Sequence, residues 1–155
     1  MTGRTSVLIC ALPRTGSSLL GELLYATGLV GYPAEWFWRE DRGRNGERWQ
    51  VTSFADYLAR VLEAGTSPNG VFAAKLMWGY LDDVLFELRR LARSYDAEDA
   101  AVLQSAFPDP RFVWVRREDA VAQAVSWAKA VQTGQWRSDQ QATAEPRSGS
   151  GDHGH

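Results

Sequence analysis

The stretch from Ser6 to Thr27 constrains this chain more than any other, because a strand-like run, SVLICA, meets a tight PRTGSS turn and restarts as the helix-like SLLGELLYATG. A strand that stops at a Gly- and Ser-bearing loop and resumes as a helix aims backbone N–H groups and the positive end of a helix dipole at one spot. Such a spot favours an anion. Arg14 and the hydroxyls of Thr15, Ser17 and Ser18 add charge-assisted donors around it. The same residues also fit a plainer reading, an N-capped helix after a strand, with Ser17 as the cap and Arg14 solvated.

Residue identity argues against two other anion loops. A nucleotide triphosphatase loop needs G-x-x-x-x-G-K-[ST], with a Lys for the outer phosphates and a hydroxyl for Mg²⁺, and this chain lacks both the first Gly and the Lys. A cysteine phosphatase loop would set its Arg where Gly16 stands relative to Cys10, so Cys10 reads as packing.

Of the 155 residues 45% are apolar, enough for one domain with a real core, and the net charge of -2 gives no electrostatic case for nucleic acid. A single cysteine excludes internal disulfides, and the N-terminus shows no secretory pattern, so a reducing cytoplasm is the default expectation. No run approaches the length of a membrane span.

Along the chain, strands and helices alternate. After the first strand and helix comes an irregular, aromatic-rich segment from Leu29 to Thr52, in which the charge run Arg39 to Arg48 reads as a solvated loop or as a cover over a bound ligand. A helix is expected near Ser53 to Ala64, where Phe54, Tyr57, Leu58, Val61 and Leu62 recur at helical spacing. Val71 to Leu76 reads as a second strand, Tyr80 to Arg93 as a helix, Arg111 to Val115 as a third strand and Glu118 to about Gln132 as the last helix. The pattern is that of an α/β domain, a mainly parallel sheet with flanking helices and about five helices in all. Ligands in such domains bind beyond the carboxyl ends of the strands, where both the PRTGSS loop and Arg116 fall. Trp114, in a strand, and Trp127, in an apolar helix, read as packing. Residues 138–155 contain no large apolar side chain and read as a disordered polar tail following a domain over 1–137. His153 and His155 on that tail lack further ligands, so no metal site is expected.

Four blocks in order, PRTGSSLL, the P-x-E-aromatic of YPAEWF, AAKLMW, and FVWVRREDAVAQAVSWAKAVQTGQW, resemble the trehalose 2-sulfotransferase-like family of sulfotransferases. The resemblance covers Ser6 to about Arg137 and implies a P-loop-like sulfotransferase fold. It also implies 3′-phosphoadenylyl sulfate (PAPS) as donor, with no metal, and a carbohydrate hydroxyl, of trehalose or a related glycoside, as acceptor. Arg14, Thr15, Gly16, Ser17 and Ser18 would then hold the 5′-phosphosulfate, with Arg14 in place of the Lys of the wider loop, and Lys75 is placed to supply the missing ammonium. Arg116, or Arg117 beside it, and Ser126 would meet the 3′-phosphate, although Ser126 lies nearly two turns after Asp119, farther than the superfamily spacing. Glu35 would be the general base, with Tyr32, Pro33, Trp36, Phe37 and Trp38 around the acceptor; the aromatic rings would desolvate the carboxylate and offer a sugar a flat apolar face. Arg14, Lys75 and Glu35 thus form the expected catalytic set.

Members of the family continue well past the QTGQW block, so the chain reads as a C-terminally truncated member, partial in its fold, and a homodimer is a permitted assembly. A nucleotide- or anion-binding module without turnover therefore stays open. So does a P-loop kinase relative, disfavoured by the missing Lys.

Overall fold

The computed structural model describes residues 5–136. Its elements, in chain order, are β1 (Thr5–Ala11), α1 (Ser17–Ala26), α2 (Arg39–Trp49), α3 (Phe54–Ala64), β2 (Val71–Met77), α4 (Trp78–Ala92), α5 (Asp99–Ala106), β3 (Pro110–Val115) and α6 (Ala120–Thr133). The three strands form one parallel sheet in the order β2-β1-β3. Ala11 pairs with Met77 on one side and Val115 on the other, so all three strands end at the same level. The carboxyl end of β1 therefore lies between those of its neighbours, and residues just past each strand share one edge of the sheet. The expected fold class, α/β with a parallel sheet flanked by helices, is the fold observed.

The core follows from the sequence pattern. β2, VFAAKLM, is buried along almost its whole length, as a parallel strand covered on both faces must be. Ser53 caps α3 by accepting the Asp56 N–H, and Phe54, Tyr57, Leu58 and Val61 form its buried stripe. Tyr80, Val84, Leu85 and Leu88 do the same on α4, and the two stripes join Phe72, Leu76 and Phe107 in one cluster.

Three expectations are corrected. The run Arg39 to Arg48 is helix, not loop: Glu40 and Asp41 in its first turn and Arg48 in its last complement the helix dipole. Arg42 ties it to the body, meeting Glu87 of α4 at 3.3 Å and standing over the Phe54 ring. Trp114 is not packing but 78% exposed: alternation buries a side chain only where another layer covers that face, and β3, unlike β2, is exposed along most of its length. Trp127 is likewise exposed.

The chain divides into two compact units between Glu118 and Asp119. The second, taken by itself, carries α6, whose N-cap Asp119 accepts the Ala122 N–H at 2.8 Å. The expected boundary at residue 137, the polar tail, His153 and His155 lie outside the described residues.

Candidate functional site

The loop after β1 has the backbone of an anion cradle. Arg14 has φ 65 and Gly16 φ 92, so two left-handed residues flank Thr15, and such alternation turns successive N–H groups toward one concavity. Left-handed backbone suits Gly16 but costs an L-residue such as Arg14 roughly 1–2 kcal/mol, a strain the loop keeps. Thr15 helps to hold the turn by donating its hydroxyl to the Leu12 carbonyl at 2.9 Å. The cap of α1 is Gly16, not Ser17, which lies buried inside the helix. Gly16 has no side chain with which to cap the first-turn N–H groups, and that turn holds no acidic residue. Arg14 is half-buried beside it.

Lys75 connects this loop to the rest of the site. It ends a run of small and apolar residues on β2, is only 8% exposed, and its Nζ donates to Ser18 Oγ at 3.1 Å and Glu35 Oε1 at 3.0 Å. An ammonium carries three N–H donors, and these contacts use two of them. Ser18 is the acceptor in its contact with Lys75, and a hydroxyl that accepts keeps an O–H with which to donate.

The segment around Glu35 is held as an extra, irregular strand on the edge of β2 away from β1. Gly31 N–H donates to the Val71 carbonyl at 3.0 Å, Ala34 bridges to Ala74, and Lys75 N–H donates to the Ala34 carbonyl at 2.8 Å. Gly31 is required by contact: a Cβ there would stand 1.8 Å from the Gly65 carbonyl oxygen. The indole N–H of Trp36 adds hydrogen bonds to the carbonyls of Ala73 at 3.1 Å and Tyr32 at 3.2 Å, and Tyr57 donates its hydroxyl to the Trp36 carbonyl. Fixing Ala34 on Lys75 sets the next residue, Glu35, against the ammonium.

The residues expected around an acceptor divide by burial. Tyr32 and Trp38 are exposed, whereas Pro33, Trp36 and Phe37 are buried. Phe37 packs on Phe54, Tyr57 and Phe107, and Trp36 on Tyr32 and Trp49. These three hold the loop, and a solute meets little of them. Arg116 and Arg117 follow β3 directly and are exposed, which brings Arg116 to the same sheet edge as the loop after β1. Ser126 lies half-buried on α6, in the second unit. Cys10 packs partly into the core, and burial pushes its thiol above the ordinary range, so it stays protonated. Among the described residues no group of three or more His, Cys, Asp or Glu side chains could hold a metal ion, and no helix is long and apolar enough to cross a membrane.

Sequence reasoning missed Gly31, Ala34 and Tyr80. Tyr80 donates its hydroxyl to the Lys75 carbonyl at 3.0 Å, and its ring lies 5.8 Å from that of Trp38. The sequence carries no local sign of either contact.

The fold is thus a parallel α/β sheet with an uncapped, left-handed loop after its central strand and the buried Lys75 ammonium behind that loop. Residues 6–153 match the Stf0 sulphotransferase family, and the chain belongs to it. It is 34% identical over 155 residues to the trehalose 2-sulfotransferase of Mycobacterium tuberculosis (strain Erdman), covering 84% of this chain and 58% of that protein. To the trehalose 2-sulfotransferase of Mycolicibacterium smegmatis it is 31% identical over 161 residues, covering 86% of this chain and 59% of the relative. The chain thus spans less than two thirds of the length of these relatives.

Proposed function

We propose that this domain grips PAPS and moves its sulfuryl group to a hydroxyl of a small carbohydrate, with trehalose as the first acceptor to test. The observation that carries the reading is the buried Lys75, whose one ammonium touches both the anion loop, through Ser18, and the carboxylate of Glu35. The residues present fit a phosphosulfate: loop N–H groups, the Ser18 hydroxyl, Lys75 and Arg14 are donors, and no acidic residue stands in the first turn of α1.

When bound, the donor supplies a sulfuryl group already activated by its phosphate leaving group. Arg14, Ser18 and the loop amides, that of Ser17 among them, hold the phosphosulfate, and Thr15 and Gly16 shape the loop. Lys75 offers its remaining N–H to charge that grows on the phosphate side during transfer. Glu35 takes the proton of the acceptor hydroxyl as its oxygen bonds to sulfur and the sulfur–oxygen bond to the phosphate breaks. Tyr32 and Trp38 offer the acceptor exposed aromatic faces, while Pro33, Trp36 and Phe37 act from behind by fixing the loop. Arg116, with Arg117 beside it, serves the 3′-phosphate.

A second reading, nucleotide binding without transfer, is favoured by the exposure of β3. Arg116 follows a strand whose Phe112 and Trp114 are uncovered, so a 3′-phosphate held by Arg116 would be less enclosed than an anion in the loop beside buried Lys75. Incubation with PAPS and trehalose, read by mass spectrometry, separates the two readings. A sulfated disaccharide supports transfer; binding of the bisphosphate product without any sulfated glycoside supports the second reading.

A further inference from the structure

We propose that Tyr80 is a positioning residue for this site, holding β2 and the Glu35 loop in the register at which the Lys75 ammonium meets Glu35 and Ser18. The inference rests on the reading of Lys75 and Glu35 given above. Both backbone groups of Lys75 are engaged away from its side chain: the N–H by the Ala34 carbonyl at 2.8 Å and the C=O by the Tyr80 hydroxyl at 3.0 Å. One partner precedes Glu35 in the chain, and the other stands in the first turn of α4. The Tyr80 ring also meets Trp38, on the far side of Glu35 from Ala34. Tyr80 therefore braces the strand at Lys75 and the loop at Trp38 from one rigid helical position.

The phenol is suited to that task. It is buried, and burial, with the negative charge of Glu35 adding to it, pushes its proton affinity far above the ordinary value, so it remains a hydrogen-bond donor at every working pH. Without the O–H, the Lys75 carbonyl would face a buried site with no donor, and the strand end would shift to find one. An ammonium whose Cα shifts cannot keep both the Ser18 and the Glu35 contact.

The composition of the chain supplies a direct assay, because Lys75 and Lys129 are its only lysines and Lys129 is exposed. Limited acetylation of the full chain with acetic anhydride, followed by digestion and mass spectrometry, gives the rate at Lys75 relative to Lys129. In the unaltered chain Lys75 should react at least about tenfold more slowly, since a buried, paired amine reacts only through local opening. Tyr80→Phe, which keeps the ring, should raise the ratio about fivefold, the equivalent of one ordinary hydrogen bond. Thr66→Val is the control: it deletes the hydrogen bond from the Thr66 hydroxyl to the Leu62 carbonyl, before the start of β2, and should leave the ratio unchanged. An unchanged ratio in Tyr80→Phe overturns the proposal, and so does an equal rise in both variants, which would mean general loosening. Should Tyr80→Phe not fold, Trp38→Leu, which removes only the loop half of the brace, must raise the ratio about twofold or more, and no rise overturns the proposal. Failure to bind nucleotide would sink the reading of the site but leave the acetylation ratio intact, so the two failures are distinguishable.

Discussion

Replacing Lys75 by Met separates what this residue does for a bound anion from what it does for the fold. Met keeps the unbranched stem in its buried slot and removes only the ammonium, with its hydrogen bonds to Glu35 at 3.0 Å and Ser18 at 3.1 Å. Replacing a whole buried ion pair by apolar side chains is often neutral or stabilising, because the desolvation cost goes with the charges. Stranding the partner is the opposing term. The Glu35 side chain is 32% exposed, so it can rehydrate, and the full penalty for an orphaned buried charge does not apply. Unfolding free energy should therefore change by no more than about 1 kcal/mol. Anion binding should respond quite differently: a lost charge-assisted contact costs roughly 1.5–3 kcal/mol, or about 10- to 150-fold in affinity for adenosine 3′,5′-bisphosphate. Thermal unfolding and calorimetric titration of the same preparation read the two quantities. Unchanged affinity at unchanged stability would refute a role for Lys75 at the anion, and a loss of several kcal/mol of stability would show that the residue serves the fold.

Arg14→Ala and Arg116→Ala should each weaken bisphosphate binding by roughly 1.5–3 kcal/mol, and wild-type titration curves for both would remove them from the donor site. Glu35→Gln should leave nucleotide affinity unaltered while slowing sulfuryl transfer by roughly 10²–10⁴, the usual share of a positioned base, and a retained rate in a turnover assay would exclude it as that base. Gly31→Ala should destabilise the chain by about 1–3 kcal/mol or more, because the added Cβ would stand 1.8 Å from the Gly65 carbonyl oxygen and 2.7 Å from that of Val71. An unshifted melting temperature would contradict that close approach.

What the sequence disclosed follows from which signals are local. Strand β1, the PRTGSS turn and α1 carry their own punctuation, and α3 and α4 carry apolar stripes, so each was legible to within a few residues. Helix α2 was not: REDRGRNGER has no apolar period, and what holds it is tertiary, through Arg42 to Glu87 and Phe54 and through Trp49 against Trp36 and Tyr57. Trp114 misled for a related reason, since alternation marks which side a residue faces but not whether another layer covers it. The candidate site residues, Arg14, Ser18, Glu35 and Lys75 among them, were named from their types, and the structure joins three of them, Ser18 and Glu35 through Lys75. What brings them together was not, because the hydrogen bonds of Gly31, Ala34 and Tyr80 are made between segments far apart in the chain or through a folded turn. Assigning Trp36 and Phe37 to the acceptor face shows the same limit: aromatic neighbours of a candidate base can face a ligand or brace the loop behind it, and their spacing reads the same either way.

On the proposed function, the β1 loop, Lys75 and Arg116 together read a nucleotide carrying phosphate at both its 5′ and 3′ positions. Calorimetric titration of the unaltered chain with adenosine 3′,5′-bisphosphate and, separately, with adenosine 5′-phosphate tests it most directly. The expected result is saturable binding of the bisphosphate, tighter than the monophosphate by roughly 1.5–3 kcal/mol, the scale of one charge-assisted contact to the 3′-phosphate. Equal affinities would reduce the site to a general anion loop, and no binding of either nucleotide would refute a nucleotide site at the β1 loop.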